Sequence, residues 1–180
     1  CVNTAAFTLT GGSPVGGIYT GTAVTSNQFS PSTAGEGTFN ITYTYTDING
    51  CSDESSESIL VNGIPAVSFS ALPNVCQNTG PVALSQGSPA GGTYSGPGVG
   101  GSTFFTGIAG AGTHNLTYTY TDANSCSNSA GQSIVVNPIP TVNLGADTTI
   151  CSNSSIVLNG GSFSTYAWST GANTPSITVD

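Results

Sequence analysis

The sequence predicts an all-β chain made of small sandwich units copied in tandem. Three observations lead there. The chain repeats itself at a fixed offset: TYTYTDINGC, from Thr42 to Cys51, returns as TYTYTDANSC from Thr117 to Cys126. Its longest periodic stretches alternate with period two, and no segment carries a helical period. Glycine, proline and asparagine clusters recur between the short apolar runs, as turn signals between strands do.

The same offset runs through the whole chain. Cys1, Cys76 and Cys151 are evenly spaced, and Cys51 and Cys126 are separated by the same interval. Residues 1–75 slide onto 76–150 without a gap, and about half the positions are identical. Gly16-Gly17 meets Gly91-Gly92, and Ile64-Pro65 meets Ile139-Pro140. We therefore expect three units: residues 1–63, lacking an N-terminal strand; residues 64–138, complete; and residues 139–180, incomplete. On this reading the sequence is a window from a longer array.

In the first unit, Phe7–Thr10, Ile18–Thr20 and Gln28–Ser30 read as strands, and Ser32–Gly37 as a small-residue loop. The longest strand runs from Thr38 to Thr46. Phe39, Ile41, Tyr43 and Tyr45 share one face, the threonines and Asn40 the other, which predicts one face on a core and one in water. Asp47–Gly50 reads as a tight hairpin turn, because Asn-Gly tolerates positive φ. After Cys51 an acidic-serine stretch leads into a last strand, Ser58–Val61. Ile64-Pro65 marks the step to the next unit, since proline removes a ladder donor. The second unit repeats the series with strands at 66–71, 82–85, 93–95, 103–105, 113–121 and 132–137. The third keeps Cys151 in register and then diverges around Tyr166 and Trp168. Strands of about ten residues rise roughly 34 Å, so units set end to end should step by about 40 Å.

Composition excludes several functions. There is no Lys or Arg against eight Asp plus Glu, for a formal net charge of −8. Nucleic-acid binding draws its affinity from cations at phosphates, and anionic membranes require a basic patch. A phosphate loop of the P-loop type needs its lysine. No apolar run reaches the length that spans a bilayer. Abundant threonine suits strands and distinguishes the chain from disordered polar tails.

Five cysteines at repeated positions point to an oxidising compartment. One bond per unit pairs Cys1 with Cys51 and Cys76 with Cys126, and leaves Cys151 without a partner in the sequence. Each bond would tie two loops at one end of a unit, and closing a loop of about 50 residues stabilises by roughly 4 kcal/mol in the chain-entropy account. Metal ligation or redox chemistry fits less well, since there is no CxxC and His114 is the only histidine.

The other motifs read as plainer features. Gly96–Gly101 matches G-x-G-x-x-G but runs into a strand where dinucleotide binding needs a helix, so it reads as a turn. His114 occupies the position of Phe39 and reads as a packed histidine; no G-x-S-x-G is present. Asp47, Asp53, Glu54 and Glu57 are calcium candidates by their hard oxygens. The second unit keeps only Asp122 of that set, which favours a solvated acidic face. Tyr43, Tyr45, Tyr118, Tyr120 and Trp168 could stack on sugars, but their strand spacing favours core packing.

The stretch CQNTGPVALSQGSPAGGTYSGPGV, with THNLTYTYTDANSCSNSA and IVVNPIPTV, resembles the tandem immunoglobulin-like repeats of giant Bacteroidetes surface proteins, nearest to the SprB-type gliding-motility adhesins. VNLGADTTICSNSSIVLNGG and YAWSTGANTPSITV look like their PKD-like units. The resemblance covers nearly the whole chain. It implies tandem immunoglobulin-like β-sandwich repeats of about 75 residues, set end to end. It also implies type IX secretion, attachment to the outer membrane outside the cell, and a part in gliding and adhesion. Asp147–Thr149 is similar to the O-glycosylation signal of these bacteria, which implies a glycan on Thr148.

Two functions follow as expectations. The first is a non-enzymatic, cofactor-free structural segment of a surface adhesin filament. Its partners would be neighbouring repeats, the secretion and gliding machinery, and an external surface or polysaccharide. The second is a carbohydrate-binding accessory module of a secreted hydrolase.

Overall fold

The computed structural model describes residues 1–180, and the chain is all-β apart from two single-turn helices. It divides into two compact units, Cys1–Asn137 and Pro138–Asp180. The first unit contains both copies of the repeat.

The first copy holds β1 (Phe7–Thr8), β2 (Ile18–Gly21), β3 (Val24–Thr25), β4 (Gln28–Phe29), α1 (Pro31–Ala34), β5 (Gly37–Thr46) and β6 (Ser52–Val61). The second holds β7 (Ser68–Phe69), β8 (Val75–Cys76), β9 (Pro81–Ala83), β10 (Gly87–Ser88), β11 (Thr93–Ser95), β12 (Val99–Gly100), β13 (Thr103–Phe105), α2 (Thr106–Ala109), β14 (Gly112–Thr121) and β15 (Ser127–Asn137). The sheets correspond. In the first copy β5 lies between β2 and β6, and in the second β14 lies between β11 and β15. A smaller sheet, β1-β4-β3, corresponds to β9-β13-β12.

Alternation along the long strands places the core. Ile41 on β5 and Leu116 and Tyr118 on β14 are buried, and Thr38, Asn40 and Thr46 are exposed. Phe104 from the small sheet meets Leu116, Tyr118, Ile134 and Val136 from the large one, with Phe69, Leu72 and Leu84, in one buried cluster. The first copy has a smaller cluster of Phe29, Ile41 and Val61. The second copy gains Phe69 and Leu72 from the segment after the Ile64-Pro65 junction. There β7 pairs with β10, and Phe69 lies 5.4 Å from the ring of Tyr94 and 6.2 Å from that of Tyr118.

Two tyrosines clamp the glycine-proline turn of each copy. The Tyr118 hydroxyl donates to the Pro89 carbonyl and accepts from the Gly92 N–H at 2.7 Å. Tyr43 repeats this with Pro14 and Gly17. The rings of Tyr94 and Tyr118 meet at a tilt of 43° with centroids 4.7 Å apart, and those of Tyr19 and Tyr43 at 48° and the same distance. This contact explains a glycine: a Cβ on Gly92 would collide with the Thr119 carbonyl oxygen and stand 2.5 Å from the Tyr118 ring. The outer face is knit by hydroxyls, with Thr42 and Ser56 at 2.8 Å and Thr121 and Ser127 at 2.7 Å.

Three local expectations change. The acidic-serine stretch is strand, because β6 pairs with β5 from Thr46↔Ser52 to Gly37↔Val61 although its first seven residues are all exposed. Cross-strand pairing sets its conformation, and apolar alternation could not reveal it. The Ser32–Gly37 loop contains α1, which starts on Pro31 and stops where the Gly35 N–H bonds the Pro31 carbonyl at φ 83°. The hairpin loop spans residues 47–51, wider than a two-residue turn. The Asp47 carboxylate accepts the N–H groups of Asn49 and Cys51, both at 2.8 Å, and Gly50 alone takes positive φ.

The second unit has one antiparallel pair, β16 (Ile156–Asn159) with β17 (Ser176–Val179). Its loop aromatics bond their own backbone: Tyr166 donates to Gly161 and the Trp168 indole to Thr174, both at 2.8 Å.

Replacing the buried Tyr118 with Phe strands the part-buried Gly92 N–H and should cost about 1–3 kcal/mol. Tyr43→Phe should cost less, because Tyr43 is only half-buried. Urea unfolding of the two variants checks this order; equal losses would contradict the clamp as a buried interaction.

Candidate functional site

The feature that stands out is the joint between the two copies. Cys1 is bonded to Cys126, with Cα atoms 5.5 Å apart at a sequence separation of 125. This replaces the expected pairs Cys1–Cys51 and Cys76–Cys126; Cys51, Cys76 and Cys151 are free and exposed.

The reason is strand length. Cys1 lies beside the end of β6, where the Val2 N–H bonds the Asn62 carbonyl at 2.8 Å. Cys51 immediately precedes the start of the same ten-residue strand. A ten-residue strand rises about 33 Å, several times the Cα separation that a disulfide spans. The second copy has the same layout. Cys76 pairs with Asn137 at the end of β15, and Cys126 immediately precedes β15. Within a copy the two cysteines occupy opposite ends, so no bond can close there.

Across the joint, the end of the first copy meets the hairpin loop of the second. Cys126 is fully buried. Its N–H bonds the Asp122 carboxylate at 2.8 Å, its carbonyl accepts from the Asp122 N–H at 2.9 Å, and Ser125 takes φ 64° where the first copy has Gly50. Two asparagines add to the bond. Asn128 donates to the Pro65 carbonyl at 2.9 Å, fixing the connecting segment, and Asn3 reaches the Ser127 carbonyl at 3.4 Å. Pro65 belongs to the junction that the sequence marks; Asn3 and Asn128 have no such signal, since polar loop residues carry no periodicity.

The remaining candidates are spread out. β6 alternates, so Asp53 and Glu57 share one face and Glu54 the other, with Asp47 in the loop; the four do not converge. No group of three metal-binding side chains forms. The imidazole of His114 bonds the Gly110 carbonyl at 3.0 Å and lies 5.9 Å from the Phe104 ring, as Phe39 lies 6.1 Å from Phe29 in the first copy. Gly96–Gly101 leads from β11 into β12 and β13, a strand-to-strand turn. Thr148 is exposed, and its hydroxyl donates to the Ala146 carbonyl at 3.1 Å. In the second unit Phe163, Tyr166 and Trp168 line a groove with Pro140, Val142 and Leu144.

The Cys51 N–H, followed by the Asn49 donors, holds the Asp47 carboxyl below the usual aspartate range. A lowered value in the folded state means that this contact is complete above the ordinary aspartate pKa and weakens as pH falls through the lowered one.

No protein-family model matches the chain, and no curated protein matches it.

Alkylation of the folded, unreduced protein should label Cys51, Cys76 and Cys151, and a non-reduced digest should contain Cys1 linked to Cys126. A peptide linking Cys1 to Cys51 would contradict this geometry. In an NMR titration the Cys51 amide shift should follow Asp47 and turn below the ordinary aspartate pKa; a midpoint at or above that pKa would contradict the hydrogen-bonded loop.

Proposed function

We propose that the chain is a non-enzymatic structural segment of a long extracellular adhesin filament, in which immunoglobulin-like sandwiches follow one another end to end. The covalent joint carries this reading. A bond from the start of one copy to the hairpin loop of the next makes two repeats one mechanical body. The repeat, the hydroxyl-rich surface without lysine or arginine and the Bacteroidetes-type sequence pattern support a place outside the cell, on the outer membrane, after type IX export. A disulfide is at home in such an oxidising setting. The partners on this reading are neighbouring repeats, the secretion and gliding machinery, and an external surface or polysaccharide. Nucleic acid is not among them, because the chain has no cation to offer phosphates. No helix is long and apolar enough to cross a membrane. The mechanism is to set reach, transmit tension and present a surface for gliding and attachment. A glycan on exposed Thr148 would add to that surface.

The groove at Phe163, Tyr166 and Trp168 favours a second reading, a carbohydrate-binding accessory module of a secreted hydrolase. Aromatic faces stack on sugar rings. Here the Tyr166 hydroxyl and Trp168 indole N–H already bond backbone carbonyls, so they offer ring faces more than hydrogen bonds.

Two measurements separate these readings. Pulled from its ends, the oxidised chain should yield no length from the 125-residue span between Cys1 and Cys126. Reduction should release about 400 Å more. Equal extension in both states would remove the mechanical role. Antibody to the chain should label intact cells that make it and reduce their attachment; labelling only after lysis would defeat the surface assignment. Saturable polysaccharide binding lost in Trp168→Ala would favour the accessory-module reading instead.

A further inference from the structure

The Cys1–Cys126 bond crosses a repeat boundary, so it has a direction. It joins a start-type cysteine of one copy to a loop-type cysteine of the next. Translation by one repeat makes Cys76 equivalent to Cys1, and Cys51 equivalent to Cys126. The local structure agrees. The Cys1 carbonyl accepts from the Thr4 N–H at 2.9 Å, and the Cys76 carbonyl from the Thr79 N–H at 3.0 Å. The Cys51 and Cys126 N–H groups each bond the aspartate four residues earlier at 2.8 Å. Cys51 is thus a loop-type half without a start-type partner, and Cys76 a start-type half without a loop-type partner. Both thiols are exposed. They cannot pair with each other in one molecule. Cys51 is at the loop end of the first copy and Cys76 at the far end of the second, with two strand lengths and the joint between them.

We propose that Cys51 and Cys76 are the two open halves of a directional inter-repeat disulfide, and that each takes its partner from another repeat of this kind: Cys51 a start-type cysteine, Cys76 a loop-type cysteine. The proposal rests on reading the chain as part of a repeat array. The bond spans 125 residues, more than the interval from Cys1 to Cys76, so consecutive bonds of this series overlap. Every level of such an array is then crossed by the backbone and at least one disulfide. No repeat can be drawn out without breaking a sulfur–sulfur bond, which makes the extensibility of the filament redox-dependent. Formation balances by exchange with a disulfide oxidant such as oxidised glutathione. One protein thiolate attacks the oxidant's sulfur and expels a glutathione thiolate. The second protein thiolate then displaces the remaining glutathione, so that one S–S bond forms, one breaks, and two glutathione thiols leave.

Because each copy of the chain carries one half of each type, the contact is heterologous and leaves open ends. The test uses the full chain in a Cys151→Ser background, oxidised with glutathione disulfide at high protein concentration. Non-reducing electrophoresis should give a ladder of oligomers, and digests should contain Cys51 linked to Cys76 with Cys1–Cys126 intact. Cys51→Ser or Cys76→Ser should each abolish the ladder, and mixing the two variants should restore only a dimer. Links of Cys51 to Cys51 and Cys76 to Cys76 in comparable amounts, or no cross-link at all, would overturn the proposal. Either result would leave the extension of the Cys1–Cys126 segment unchanged, so failure here is distinguishable from failure of the mechanical reading.

Discussion

The long hairpin strand sets the scale of this protein. Ten residues of Thr/Tyr-rich strand run the height of each copy, paired along their whole length with the strand that follows. That height separates the two cysteines of a copy and leaves them only partners in a neighbouring copy. It also places the hairpin loop at one end and the chain exit at the other, so that the loop of the second copy receives the end of the first. The covalent joint is thus a consequence of strand length, and it lies within the compact unit Cys1–Asn137.

Within each copy the same hairpin anchors the rest through its tyrosines. A phenol suits this position because its ring fills the space between sheets while its hydroxyl reaches the glycine-proline turn. The turn carries two backbone groups facing inward, the Gly92 N–H and the Pro89 carbonyl, and one oxygen serves both. The unusual glycine content near Tyr118 follows from that approach, since a side chain on Gly92 would occupy the same space as the ring. The second copy is better filled because Phe69 and Leu72 close over this clamp. A thin core of this kind gains from cross-linking. In the chain-entropy account a loop of this length stabilises by about 5 kcal/mol, comparable with the whole stability of a small domain.

The surface has the opposite character. Paired hydroxyls replace ion pairs along the outer face, and no cation is present anywhere in the chain. The charge that this surface carries is acidic, including exposed Asp53, Glu54 and Glu57 on β6, so its field repels anionic partners.

What the sequence by itself determined was the repeat, the strand content and the inward register. The constant offset between copies, the alternation from Phe39 to Tyr45 and the satisfied place of His114 were all legible, because periodicity and self-similarity are local properties. The ladder along Ser52–Ser58 was not legible, since exposed polar residues adopt strand only through a neighbour's hydrogen bonds. Only the tertiary structure decided the disulfide. Equal spacing showed that Cys1 and Cys51 belong to one series, but spacing along the chain is not distance in space. A strand that runs away from its starting end carries Cys51 out of reach of Cys1, and the fold brings the hairpin loop of the second copy, with Cys126, to it. The joint between repeats depends on that approach, which no single repeat encodes in its own periodicity.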